Sequence, residues 1–219
     1  MQNAGNLAAR AAKFPGGVLD SFRGGWIEII AGGMFSGKSE ELIRRLRRAV
    51  IARQRVQVFK PIVDDRFSLE EVVSRDERRL KAMAVATSEQ LRARVELGVQ
   101  VIGIDEVQFF DDGIVDVCMN LADAGIRVVA AGLDQDYLRR PFGPMPALLS
   151  VAEEISKMHA VCVRCGGAAH YSQRIAGGSS QVEVGDTSYE ARCRFCFETY
   201  QPREENEPVQ LPMREALRD

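Results

Sequence analysis

The sequence predicts an α/β fold: a mostly parallel sheet covered by helices on both faces, with a small metal-stapled unit appended. Three observations carry that prediction. Short apolar runs alternate with segments of helical periodicity, the pattern of strand–crossover–strand units. A phosphate-loop motif opens the first of the helices. Four cysteines stand in two close pairs toward the C-terminal end. The size allows both parts, because 219 residues with 46% apolar side chains can bury a substantial core without disulfides. With 27% charged residues, and 8 Pro against 19 Gly, wholesale disorder and collagen-like repetition are excluded.

In chain order, residues 1–24 lack a sustained hydrophobic period and read as a flexible extension. Arg10, Lys13 and Arg23 leave a transit peptide open, although the segment is poor in Ser and weakly amphipathic. Residues 25–157 form the expected nucleotide-binding domain. Its first strand is Trp26-Ile27-Glu28-Ile29-Ile30-Ala31, after which Leu42, Ile43, Leu46, Ala49 and Val50 recur at helical spacing. Further strands are expected at Val56 to Phe59, Val101 to Ile104 and Val128 to Ala131, with helices from Ser88 to Glu96 and from Gly113 to Ala124. The short segments and Gly clusters of residues 158–202 predict a zinc-binding unit, and the charged, Pro-punctuated residues 203–219 a flexible tail.

Gly32-Gly33-Met34-Phe35-Ser36-Gly37-Lys38-Ser39 fits G-x-x-x-x-G-K-[ST] directly after a strand and at the start of a helix. Such a loop turns its backbone N–H groups around phosphate oxygens, the helix N-terminus adds positive potential, and Lys38 and Ser39 suit a phosphate and its magnesium. The alternative is a glycine-rich turn with a chance lysine. The strand Val101 to Ile104 ends in Asp105-Glu106, which places Asp105 near the magnesium shell and lets Glu106 take a proton or orient a nucleophile. Standing alone, that pair would read as a solvated strand end. The 67 positions from Lys38 to Asp105 leave room for an intervening strand and a further crossover. Arg44, Arg45, Arg47, Arg48 and Arg53 are expected on a solvated helix face rather than on nucleic acid. The formal charge of −2, from 29 basic and 31 acidic residues, also argues against a surface built to hold duplex nucleic acid.

Cys162-x-x-Cys165 and Cys193-x-x-Cys196, with 27 residues between the pairs, match two knuckles clamping one tetrahedral ion. Four sulfur ligands leave no open position, so a structural zinc is expected, with a disulfide or redox pair as the alternative. Cys118 falls in an apolar pattern and reads as core, while His159 and His170 read as ordinary residues flanking the first knuckle. No stretch approaches the roughly 18 to 20 apolar residues of a membrane span, and Met1 to Gly25 lacks a secretory h-region. A soluble, cytoplasmic protein is expected.

Several of these stretches together resemble a known family. They are Gly25-Trp26-Ile27-Glu28, the phosphate loop, Phe59-Lys60-Pro61 with Asp64-Asp65-Arg66-Phe67, Ile104 to Phe110, Gly132-Leu133-Asp134, Arg140-Pro141-Phe142-Gly143, and the two knuckles with Val182 to Gly185 and Tyr189 between them. In order and combination they are similar to the zinc-containing thymidine kinases, with a RecA-like P-loop domain, found in many bacteria and in animal cytosol. The resemblance spans about residues 25 to 200 and implies ATP-dependent phosphorylation of the thymidine 5'-hydroxyl.

It assigns the proton acceptor to Glu106 and the ATP-binding set to residues Gly32, Gly33, Met34, Phe35, Ser36, Gly37, Lys38, Ser39, Asp64, Asp65, Arg66, Asp105 and Gln108. Magnesium falls to Ser39 and Asp105. The base would lie among Tyr137, Phe142, Val182, Glu183, Val184, Gly185 and Tyr189, with the loop between the knuckles acting as a closing lasso and Tyr189 as its aromatic lid. The resemblance further implies a homotetramer and feedback by thymidine triphosphate. Departures are Gly33 where Pro is common, Ser74-Arg75 where Ser-His is common, Tyr137 where Phe is common, and a slightly shorter lasso. Two other classes compete. A nucleic-acid-acting ATPase is disfavoured by the charge balance, and a non-catalytic zinc module by the intact Lys38, Ser39, Asp105 and Glu106.

Overall fold

The computed structural model describes residues 24–62, 71–73, 79–176 and 188–198. Six strands form one sheet: β1 (Trp26–Gly32), β2 (Val56–Pro61), β5 (Met83–Val85), β6 (Val101–Ile104), β7 (Arg127–Gly132) and β8 (Glu154–Met158). Their order is β5-β2-β6-β7-β1-β8, and every pairing is parallel. This is the α/β architecture that the alternation of strand and helix predicts. β3 (Glu71–Val73) and β4 (Arg79–Lys81) pair separately as a short antiparallel ribbon.

Side-chain alternation along the strands sets up two apolar layers. Ile27, Ile29 and Ala31 of β1 face one way and join Leu91 of α2 (Ser88–Ala93), Cys118 of α3 (Gly113–Asp123) and Leu148 of α4 (Met145–Val151). Ile30 faces the other way and meets Leu42, Ile43, Leu46 and Ala49 of α1 (Lys38–Ile51). Each fully buried aliphatic side chain of this kind contributes about 1.5–3 kcal/mol. Cys118 is wholly enclosed, and burial pushes its thiol up to about 12, as a core cysteine requires.

Two expectations about α1 are reversed. Val50 is 52% exposed, whereas Arg45 is only 8% exposed and lies toward the sheet. The reason is Glu28, a buried anion on β1. Arg45 Nη1 donates to Glu28 Oε2 at 2.7 Å and to Glu154 Oε1 at 3.0 Å, Nη2 donates to Ser156 Oγ at 2.7 Å, and Nε donates to Glu41 Oε1 one turn back at 2.8 Å. The other arginines of the run, Arg44, Arg47, Arg48 and Arg53, are exposed as expected.

α2 ends at Ala93 rather than Glu96, and α3 at Asp123 rather than Ala124. Thr87 caps α2, its hydroxyl accepting from Gln90 N at 3.2 Å. Periodicity does not announce β5, α4 or β8. β8 carries only two apolar residues, Ile155 and Met158, because it is an edge strand with no fully buried side chain. α4 is short and starts at a Pro-flanked turn, with Pro146 in its first turn where a missing N–H costs nothing.

After β8 come two antiparallel pairs: β9 (Ala160–Val161) with β10 (Ala168–Ala169), and β11 (Tyr171–Arg174) with β12 (Tyr189–Arg192). They carry the four paired cysteines and a small core of Ala160, Cys162, Ala169 and Ala191. Among the described residues no helix is long and apolar enough to cross a membrane.

Candidate active site

The phosphate loop follows β1 and closes onto α1 through Gly37, whose left-handed conformation (φ 82°) would strain a residue with a Cβ. Ser36 Oγ and Lys38 Nζ each donate to Gly33 O at 2.8 Å, so the loop is folded back on itself around its lysine. Ser39 Oγ donates to Asp105 Oδ1 at 3.4 Å, bridging the start of α1 to the tip of β6. The same carboxylate oxygen accepts from Glu106 N at 3.0 Å. β7 lies between β1 and β6, so the loop and the Asp105-Glu106 pair meet across one intervening strand.

Glu106 adopts φ 49°, ψ 42° and leads into a 3-10 turn, Val107–Phe109. A left-handed non-glycine residue costs on the order of 1–3 kcal/mol and persists only where its surroundings hold it. Gln108 Nε2 donates to Glu106 Oε2 at 2.6 Å, while Gln108 Oε1 accepts from Leu133 N at 3.0 Å. The resemblance gave Gln108 to ATP; its amide is here directed at Glu106 and at the end of β7. Lys60, to which sequence reasoning gave no role, is buried at the tip of β2, one residue past the Phe59–Ile104 pairing and thus beside Asp105.

The cysteine unit docks on the phosphate loop. Phe35 packs against the unit's small core, Met34 N donates to Ser172 Oγ at 2.9 Å, and a Cβ on Gly33 would sit 3.3 Å from His170 O. Behind the loop, Lys157 of β8 pairs with the buried Asp134 beyond β7, across the end of β1. His159 and His170 stack edge to face with ring centroids 4.4 Å apart. Burial, the charges of His159, Lys157 and Arg194 lower the His170 pKa.

The ligand atoms of Cys162, Cys165, Cys193 and Cys196 all lie within 4.8 Å of one another, and the Cys165 and Cys193 sulfurs are 3.6 Å apart. Tetrahedral zinc–thiolate bonds put sulfurs about 3.8 Å apart, so the four fit that ion. Desolvation would raise the Cys162 thiol, but backbone N–H groups of Cys193, Cys165 and Arg164 bring it down to about 6. Cys196 is pushed up to about 12, first by its hydrogen bond with Cys193. Four crowded sulfurs cannot all ionise without a cation among them, which is the environment a structural zinc satisfies.

Of the residues expected around a base, Tyr137, Phe142 and Tyr189 are described and all are buried. Tyr189 is not on a loop. It opens β12, opposite Arg174 of β11, and Arg174 Nη2 donates to its hydroxyl at 2.7 Å. The Arg174 guanidinium lies 3.6 Å from the Tyr137 ring centroid and 5.3 Å from that of Tyr189, so one buried cation holds both rings. Phe142 packs edge-on against Phe109, with centroids 5.6 Å apart. Asp64, Asp65, Arg66, Val182, Glu183, Val184 and Gly185 lie outside the described residues, as do Ser74, Arg75, the C-terminal tail and all of the N-terminal extension but Gly24.

A phosphate loop between a strand and a helix, faced by paired carboxylates at the tip of a second parallel strand, defines a P-loop nucleotide-binding protein. The thymidine kinase family model matches residues 25–197, and the chain belongs to that family. It is 53% identical over 179 residues to a thymidine kinase of Rhodothermus sp., covering 81% of this chain and 84% of the relative. It is 50% identical over 181 residues to one of Bacteroides thetaiotaomicron, covering 82% and 90%. A thymidine kinase of Bdellovibrio bacteriovorus is 50% identical over 174 residues, covering 79% and 85%.

Proposed function

We propose that the chain transfers the γ-phosphoryl group of ATP to the 5'-hydroxyl of thymidine, with deoxyuridine as a second acceptor. The observation that carries the reading is the convergence of the phosphate loop, Asp105 and Glu106 in a chain of this family. Loop N–H groups and Lys38 hold the donor phosphates. Ser39 and Asp105, whose oxygens are 3.4 Å apart, would hold magnesium, which would neutralise charge on the phosphates when bound. Glu106 accepts the 5'-hydroxyl proton as the oxygen attacks the γ-phosphorus, and the bond from that phosphorus to the ADP oxygen breaks. By resemblance, Asp64, Asp65 and Arg66 serve the phosphates, with Arg66 offsetting charge on the transferred group.

The base is read between the aromatic side chains Tyr137, Phe142 and Tyr189 and the backbone of Val182 to Gly185. This division assigns the phosphates to a domain of residues 25–157 and places the base where that domain, through Tyr137 and Phe142, faces a zinc-stapled domain of residues 158–202. A homotetramer in the cytoplasm, with thymidine triphosphate as feedback ligand, extends the same resemblance. Exposed Ile155 on the β8 edge and exposed Val161 and Val163 shortly after it in sequence support contact with further copies.

Glu106→Gln tests the chemistry, since the amide keeps the shape and cannot accept the proton. Turnover is expected to fall about 10²- to 10⁴-fold with ATP affinity kept. Retention of more than about half the wild-type rate would remove Glu106 from the role of base, because a positioned general base typically contributes about 10²- to 10⁴-fold.

A further inference from the structure

We infer that Gln108 is a positioning residue for phosphoryl transfer, its side-chain amide fixing the Glu106 carboxylate from a seat built by the ends of β7 and of the loop before α4. The inference rests on the reading of Glu106 as the base.

Gln108 is only 2% exposed, so both ends of its amide need partners. Leu133 N–H must find an acceptor and finds Gln108 Oε1 at 3.0 Å. That bond settles which way the amide faces: the NH₂ group is the end turned to Glu106 Oε2, at 2.6 Å. Two glycines clear the space. A Cβ on Gly132 would lie 2.7 Å from Gln108 Oε1, and one on Gly143 would lie 2.3 Å from the Gln108 carbonyl oxygen, where φ of +48° also disfavours a side chain. Gly132 and Gly143 belong to the sequence motifs Gly132-Leu133-Asp134 and Arg140-Pro141-Phe142-Gly143. Both close on Gln108.

A glutamine kept only for support would be matched to other framework groups. Here one end is tied to the framework and the other to the reacting carboxylate. Glu106 has a left-handed backbone, and the hydrogen bond from the amide to Oε2 favours one orientation of its carboxylate. The donated N–H also favours the charged, proton-accepting form. Both effects belong to a neighbour that orients the reacting group without touching substrate.

The test uses the full chain with its zinc, and compares wild type, Gln108→Met, Gln108→Glu and Glu106→Gln with ATP and thymidine across pH 5 to 9. Gln108→Met keeps bulk and loses both hydrogen bonds; kcat is expected to fall about 10- to 100-fold with the KM for ATP unchanged. Loss of the N–H disfavours the charged form of Glu106, so the acid limb of kcat moves to higher pH. Gln108→Glu places a second carboxylate against the first and moves that limb further in the same direction. Unchanged kcat and an unmoved acid limb in both variants, with Glu106→Gln inactive, would overturn the positioning role and leave the base assignment standing. An active Glu106→Gln would instead overturn the base assignment itself. Gln108 variants that lose their fold altogether would assign the side chain to support and equally overturn the proposal.

Discussion

Arg174 and Glu28 are charged side chains in places where a protein of this size tolerates few, and each is matched by a specific arrangement of partners. Arg174 is 1% exposed, stacked on Tyr137 and hydrogen-bonded to the hydroxyl of Tyr189. Burial strengthens a cation–π contact to about 2 kcal/mol, since water no longer competes for the guanidinium. In Arg174→Met the bulk stays and the charge goes, so the two rings lose their common partner. The expected outcome is a lower melting temperature and a several-fold higher KM for thymidine, with the KM for ATP unchanged, read by thermal denaturation and steady-state kinetics. Equal increases in both KM values would show that Arg174 supports the whole site and not the aromatic wall. Sequence reasoning found both tyrosines and missed the arginine between them, because an isolated Arg in a polar stretch, Tyr171-Ser172-Gln173-Arg174, carries no sign of burial.

At the scale of elements, α1 is joined to the sheet by an ion-pair network as well as by its apolar face. Burial raises the pKa of Glu28, but the hydrogen bonds and charge of Arg127, with the bonds from Arg45 and Trp26, outweigh it and hold the carboxyl below its ordinary 4.5. Glu41 is brought down to about 2, chiefly by its hydrogen bond with Arg44 and despite desolvation. Both groups have folded-state values below their unfolded ones. Their contribution to stability is therefore present above the ordinary carboxyl value of 4.5 and is lost as the pH falls through the folded-state values, about 2 for Glu41. Glu28→Gln strands Arg45 and Arg127 without their common anion, and removing one partner from such a buried pair costs about 3–5 kcal/mol. Urea titrations at pH 7 and pH 3 check this: the variant should be much less stable than wild type at pH 7, and the gap should narrow at pH 3. A gap that does not depend on pH would mean that shape and not charge is at issue.

The network also marks how far the elements were legible. β1, β2, β6 and β7 lie inside the sheet and read as apolar runs; the edge strands do not stand out, since β8 is mostly polar and the short apolar run Ala82 to Ala86 that holds β5 does not by itself tell strand from helix. The arginine run reads as a solvated face, which holds for Arg44, Arg47, Arg48 and Arg53 but not for Arg45. One signal for the exception was present: Glu28 interrupts the apolar run Trp26 to Ala31, and an acid inside a buried strand requires a cation from whatever packs over it. The phosphate loop, Asp105, Glu106 and the cysteine cluster follow from local spacing and so were readable. The seat of Gln108 is not legible in the sequence, since its contact with Leu133 depends on which strand lies beside β6.

At the scale of the molecule, the cysteine unit and the phosphate loop share contacts through Phe35, Met34 and Ser172. Zinc removal should therefore disturb more than the segment that carries the ligands. Stripping the metal with a strong chelator is expected to lower the melting temperature and to weaken both thymidine and ATP binding, with recovery on adding zinc. Calorimetric titration of each ligand before and after chelation measures it. Native protein containing no zinc, purified without chelators, would contradict the structural metal.

The central claim, that this site moves a phosphoryl group from ATP to thymidine, is tested most directly by following ATP consumption and the phosphorylated product by phosphorus NMR, with thymidine present and absent. The account predicts ADP and a thymidine 5'-phosphomonoester in equal amounts, and little turnover when thymidine is omitted. ATP hydrolysis to inorganic phosphate at the same rate with or without thymidine, and with no phosphomonoester formed, would contradict it.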